Sequence, residues 1–170
     1  MNAMPHDFKM QPLCHPHEPG RAMSSHADHH EEHCPVARSV DVVGDRWALL
    51  IVRDAFDGIR RFGDFQRNLS VSKNILADRL RKLVDANILE MQAASDGTSY
   101  QEYVLTETGL GLFPLVVALR QWGEAHLFKR GEKHSVLIDT DTGKPVAYMA
   151  PISRDGSHLN PARTLVRKVK

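Results

Sequence analysis

Seven basic side chains fall between Arg60 and Lys82: Arg60, Arg61, Arg67, Lys73, Arg79, Arg81 and Lys82. Only Asp64 and Asp78 oppose them, a local balance of +5 in a chain whose formal net charge is +1. Guanidinium and ammonium groups at this density suit a polyanion, because each one that meets a phosphate releases a condensed counterion. Interleaved with them are groups of another kind. Asn74 and Arg79 can make paired hydrogen bonds to the edge of a nucleobase. Ser72 and Lys73 stand where a helix should begin, and unpaired backbone N–H groups at a helix start favour an anion.

A second chemistry is carried by sulfur and imidazole. Cys14 and Cys34 are the only thiols, too few for a disulfide framework. Cys34 directly precedes a predicted helix, where the exposed backbone N–H groups favour negative charge, and His33 stands beside it. The leader also holds His6, His15, His17, His26, His29, His30 and His33, and "HADHHEEHC" packs four histidines and Cys34 into nine residues. These are transition-metal ligand types, so a metal-responsive regulator is the alternative expectation, although the spacing fits no tetrahedral motif. Catalysis is not expected: the histidines lie in a segment that nothing positions. There is no Gly-rich phosphate loop, no GxSxG and no pocket-forming pair of carboxylates. No cofactor is called for.

The elements that must position these groups can be read from periodicity. Pro35 suits a first helical turn, followed by Val36, Val40, Val42 and Val43. Asp45 is a candidate N-cap for residues 45–56, with Trp47, Leu50, Ile51 and Phe56 facing a core. "FGDFQRNL" gives a short third helix on Phe62, Phe65 and Leu69. Ser72 caps a fourth helix to about Ala86, whose inner face is Ile75, Leu76, Leu80, Leu83 and Val84. "ILEMQA" and "YQEYVLT" read as strands joined through Asp96-Gly97. A long helix from Thr106 or Thr108 through Phe128 is apolar around much of its girth, which predicts burial against a second copy.

A short helix, the three-residue turn "SVS", a second helix and a hairpin in that order make a winged helix-turn-helix. The second helix of such a unit enters the DNA major groove, about 12 Å wide. The expected fold is therefore mainly α with a β-hairpin wing, homodimeric, with a small C-terminal β appendage. The candidate DNA contacts are Arg61, Arg67, Ser72, Lys73, Asn74, Arg79, Arg81 and Lys82. The plainer alternative, a solvated basic helix, does not account for the helix-turn-helix spacing and the hairpin occurring together.

The stretch from "CPVARSVDVVGDRWALLIVRDAF" through "RRFGDFQRNLSVSKNILADRLRKLVDANILE" to "YVLTETG" and "ALRQWGEAH" resembles the HxlR-type winged-helix transcriptional regulators, relatives of the MarR group. The likeness covers about residues 34–127. It implies a homodimer that reads a near-palindromic operator on double-stranded DNA, with repression as the expected direction of control. It also implies a redox role for Cys34, since a cysteine at the matching position serves several family members as a sensor of oxidants or electrophiles. One departure is plain: "AASDGTS", residues 93–99, lacks the basic side chains that such wings often carry, so no cationic groove contact is expected from it.

The chain of 170 residues with 42% apolar and 25% charged residues accommodates one domain with tails. Residues 1–32 read as a disordered His-rich leader broken by Pro5, Pro12, Pro16, Pro19 and Gly20. Residues 33–128 read as the DNA-binding and dimerisation domain. Residues 129–170 read as a β-rich extension, with strands at "SVLIDT", "KPVAYM" and "TLVRKV" and turns at "DTGK" and "RDGS". No long apolar run and no signal-type leader are present, which makes a cytoplasmic location with no membrane partner the expectation.

Overall fold

The computed structural model describes residues 33–168. The leader, with Cys14 and all the histidines of the metal expectation except His33, lies outside the described residues.

Helix α1 (Pro35–Val43) starts with proline at its first position and with Cys34 at the N-cap. Helix α2 (Arg46–Phe56) is capped by Asp45, whose carboxylate accepts from the amides of Trp47 and Ala48 at 2.9 and 3.2 Å. Helix α3 (Phe62–Leu69) ends on Ser70, which adopts a left-handed conformation at φ 50°. Helix α4 (Lys73–Asp85) begins after Ser72, whose Oγ accepts from the amide of Ile75 at 3.4 Å. The turn between α3 and α4 is thus Ser70, Val71 and Ser72. Val71 is buried and pins the turn to the core.

Strands β1 (Leu89–Ala93) and β2 (Gln101–Leu105) form an antiparallel hairpin in the register Leu89 with Leu105 and Met91 with Tyr103. Gly97 sits at its tip with φ 76°, which a residue with a side chain rarely adopts. Among the described residues this is the only sheet.

The expected long terminal helix is two. A short α5 (Glu107–Leu110), capped by Thr106, is followed by α6 (Phe113–His126). Pro114 at the start of α6 cannot donate to the carbonyl four residues back, and its ring crowds that carbonyl, so one continuous helix is forbidden. The extension also departs from expectation. Its turns form at Gly143 and Gly156, both at positive φ, but the strands reduce to isolated bridges, Ile138 with Pro145 and Ile152 with His158. Pro145, Pro151 and Pro161 remove the amide donors that a longer ladder needs. A 3-10 turn at Pro161–Arg163 follows.

The core is one cluster built from α2, α3, α4 and the hairpin: Ile51, Val52, Phe65, Leu76, Leu80, Leu83 and Leu89 are almost completely buried. Truncating one of these leucines to alanine costs ~3 kcal/mol. The buried carboxylate of Asp54 on α2 accepts from Arg53 at 2.6 Å and from Asn68 on α3 at 2.8 Å, which ties those helices together. Ile75, expected inside, is exposed on the first turn of α4.

Candidate nucleic-acid interface

The exposed side of α4 divides along its length. At the N-terminal end, Lys73 and Asn74 are exposed and make no hydrogen bond or ion pair among the described residues. Ser72 spends its hydroxyl on the cap. One turn on, Asp78 gathers the remaining cations. Arg81 donates to it at 2.8 Å, Lys82 lies 3.2 Å away, and Arg79 also pairs with it. Hydrogen bonding to Lys82, and then the charges of Lys82 and Arg79, hold the Asp78 carboxyl below the usual carboxylate range.

Arg79 is only 27% exposed and turns inward. Its Nε donates to Asp45 at 3.0 Å, on the same oxygen that caps α2. That hydrogen bond is the main reason its guanidinium is held above its ordinary value. Arg79, expected to read bases, fastens α4 to the start of α2 in this structure. The physical reason is competition: a carboxylate at a helix cap, within reach, is a better partner than water.

The cations before the turn are also engaged. Arg61 donates to Asp96 at 2.5 Å, lies 3.5 Å from Glu102 and stands over the Tyr100 ring at 5.8 Å. Glu102 is buried on β2 and also faces Arg60 at 3.8 Å. The backbone joins in, since the amide of Tyr103 donates to the carbonyl of Arg60 at 2.8 Å. Bonds from Thr98, then from Arg61, hold the Asp96 carboxyl down to about 2. The wing is thus bolted to the segment before α3, and its tip is acidic. Arg67 pairs with Asp64 one turn earlier on α3 and remains largely exposed.

Cys34, the other predicted site, is half-buried at the start of α1. Its side chain makes no capping bond, while its carbonyl accepts from the amide of Arg38 at 3.1 Å.

A profile for the HxlR-like helix-turn-helix family matches residues 42–130, which takes in the capped α2, the turn, α4, the hairpin and α6. This chain belongs to that HxlR-like family. An uncharacterized HTH-type transcriptional regulator of Mycobacterium tuberculosis is 43% identical over 103 residues, 61% of this chain and 65% of that one. The chain thus spans slightly less than two thirds of the length of this curated relative. The crystal structure of PA1607, a proposed transcription factor, superimposes with TM-score 0.77 and 48% identity over 82% of this chain and 98% of that one. The reduced form of the redox regulator HypR superimposes with TM-score 0.51 and 32% identity over 55% of this chain and 94% of that one. The fold is the winged helix-turn-helix of these HxlR-like relatives, which are named as regulators rather than enzymes.

Sequence reasoning missed three acidic positioning residues of this HxlR-like site. Asp45 was legible as a cap but not as the partner of Arg79. Asp96 was legible as a turn residue but not as the partner of Arg61. Glu102 carried one usable signal: it alternates with Tyr103 on a strand and so had to face inward on one register.

Proposed function

We propose that the chain is a transcriptional regulator that binds duplex DNA as a homodimer, laying the first turns of α4 in the major groove of each half of a near-palindromic operator. The observation that carries this reading is the pair Lys73 and Asn74. Among the described residues, their side chains have no protein partners where they project from the helix that follows the helix-turn-helix turn. Lys73 supplies a phosphate contact beside the free N–H groups of the helix start, and Asn74 supplies the donor–acceptor pair that reads adenine. Arg67, Arg81 and Lys82 are exposed enough to share their carboxylates with phosphate. Arg61 and Arg79 act one step back, seating the wing and α4.

Dimerisation is supported by an apolar face. Val36 and Val40 of α1 are 70% and 57% exposed, and Leu115 and Leu119 of α6 stand open beside them, with Trp122 of α6 exposed as well. Between them runs a groove of about 590 Å³ lined by Val36, Val40, Val43, Leu112, Leu115 and Leu119. A monomer rarely leaves such a patch in water. Covering it with a second copy places two α4 helices on one molecule, as a two-fold operator requires. Bound across a promoter, such a dimer blocks transcription.

Cys34 is the proposed input. HypR is named as a redox regulator, and the Cys34 side chain is free of the helix cap that it adjoins. Oxidation joins two thiols with loss of two electrons and two protons to the oxidant, or an electrophile alkylates one thiol. The test is operator selection from random duplexes, followed by fluorescence-anisotropy titration of the selected duplex. Submicromolar binding that weakens steeply with salt is expected, and diamide should alter it in the parent but not in Cys34→Ser. A chain that selects no sequence and binds no duplex at low salt removes the DNA reading. A diamide response that persists in Cys34→Ser removes the sensor alone.

A further inference from the structure

The charge of the chain is unevenly placed. Residues 34–128, which hold the helix-turn-helix and the wing, carry 11 basic and 12 acidic side chains, a balance of −1. Residues 129–170 carry nine basic and four acidic, a balance of +5. A unit with no net positive charge gains little from the field of a polyanion at long range, so attraction has to come from elsewhere in the chain.

Pairing widens the contrast. Between Arg60 and Lys82, every cation except Lys73 lies within ion-pair distance of a carboxylate. In the extension, no lysine or arginine does so among the described residues. Lys129, Arg130 and Lys133 crowd a turn at Gly131, whose φ is 81°. The acid of that turn, Glu132, gives its carboxylate to the amide of Lys129 at 2.9 Å. Farther on, Arg154, Arg163, Arg167 and Lys168 are exposed, and of these Arg163 alone is engaged, donating to the carbonyl of His158 at 3.3 Å. The carboxylates of Asp139 and Asp155 are taken up locally. Asp139 accepts from the amide of Asp141 and the hydroxyl of Thr142, both at 2.9 Å, and Asp155 accepts from the amide of Ser157 at 2.9 Å.

The segment is fastened to α6. Gln121 donates to the carbonyl of Ala147 at 2.9 Å and accepts from the amide of Met149 at 2.8 Å, and Arg120 donates to the carbonyl and hydroxyl of Ser135 at 3.0 and 2.9 Å. No residue of 129–168 is buried, so the extension offers a partner dispersed charge rather than enclosed recognition groups.

We infer that the C-terminal extension is a second contact for duplex DNA, in which its exposed lysines and arginines meet backbone phosphates without reading sequence. Phosphates recur at about one charge per 1.7 Å of duplex axis, so cations scattered over an open surface find partners in any register. The helix-turn-helix on the same chain makes duplex DNA, rather than an acidic protein, the polyanion at hand. Duplex DNA as the partner rests on the proposed function, whereas the reading of bases by α4 does not enter.

The test is fluorescence-anisotropy titration of the full chain with an operator-free duplex over about 50–200 mM salt. Two triple variants are compared with the parent: Arg154→Gln with Arg167→Gln and Lys168→Gln, and Lys129→Gln with Arg130→Gln and Lys133→Gln. These side chains make no bonds among the described residues, so circular dichroism melts should match the parent. Each cation that meets a phosphate contributes about 0.9 to the slope of log K against log salt, so at least one triple should lower the slope by about 2–3 and weaken binding about tenfold or more. Lys73→Ala combined with Asn74→Ala should keep most of this operator-free binding while losing sequence preference. Parent slopes in both triples overturn the extension as a DNA contact, and operator binding that persists in them leaves the α4 reading standing. Operator-free binding that depends on the extension, in a chain that selects no sequence, removes the α4 reading alone. Equal affinity for polyglutamate at the same salt assigns the surface to acidic protein and overturns the DNA assignment.

Discussion

At the start of α4, Lys73 and Asn74 stand in the open. Two turns later, Arg79, Arg81 and Lys82 all reach the single carboxylate of Asp78, and Arg79 reaches Asp45 as well. The residue types are the same at both ends and their circumstances differ. A cation without a protein partner gives its whole charge to a phosphate, whereas a cation already on a carboxylate must share it. A tally of basic residues therefore overstates the unshared positive charge on α4, and among the described residues Arg79 is the one of these three that also reaches another element, at the cap of α2.

Four measurements break or sharpen that contrast. The largest effect is expected from Lys73→Ala combined with Asn74→Ala: loss of one phosphate contact and one base contact should lower operator affinity about a hundredfold. The slope of log K against log salt should fall by about 0.9. If the double variant binds as the parent does, the free end is not the reading end. Arg79→Ala comes next and acts on the fold. Removal of its bond to the capping carboxylate of Asp45 should destabilise the chain by ~1 kcal/mol, after allowing for solvent screening, which lowers Tm by about 2–4 °C. Asp78→Asn should do the reverse to affinity. Releasing Arg81 and Lys82 should tighten sequence-independent duplex binding by about threefold at low salt, with the gain vanishing at high salt.

The smallest effect concerns the wing. Carbon-detected NMR titration should place the Asp96 midpoint at about 2. Arg61→Ala should raise it part of the way toward 3.8, with the bonds from Thr98 still holding it down. Because the folded value lies below the unfolded one, the stabilisation that Asp96 provides is fully present above pH 3.8 and is lost as the pH falls toward 2.

The local signals in the chain proved to be the reliable ones. Asp45 and Ser72 cap the helices for which their side chains suited them, Asp96-Gly97 turns the hairpin, and the spacing of Leu76, Leu80 and Leu83 marks the buried face of α4. What periodicity could not supply is partner choice across the fold. Arg79 and Arg81 are the same residue type two positions apart, yet only Arg79 pairs with Asp45, 34 residues away in sequence. The terminal helix misled because its apolar residues continue in phase through Gly111 and Pro114, so the rhythm persists where the backbone breaks. In the extension, β-type side chains are present, but prolines deny them a ladder.

Thr106 and Gly109, at the entrance to α5, form a joint without slack. The Thr106 hydroxyl donates to the carbonyl of Asn87 at 2.5 Å and also accepts from the amide of Gly109 at 3.0 Å. A Cβ on Gly109 would stand 2.1 Å from the carbonyl of Ile88, which leads into the hairpin. Backbone lies against backbone there, with no side chain between to yield. The start of α5 and the entry to the hairpin therefore meet at a fixed spacing, and any side chain larger than hydrogen at Gly109 must push the two apart.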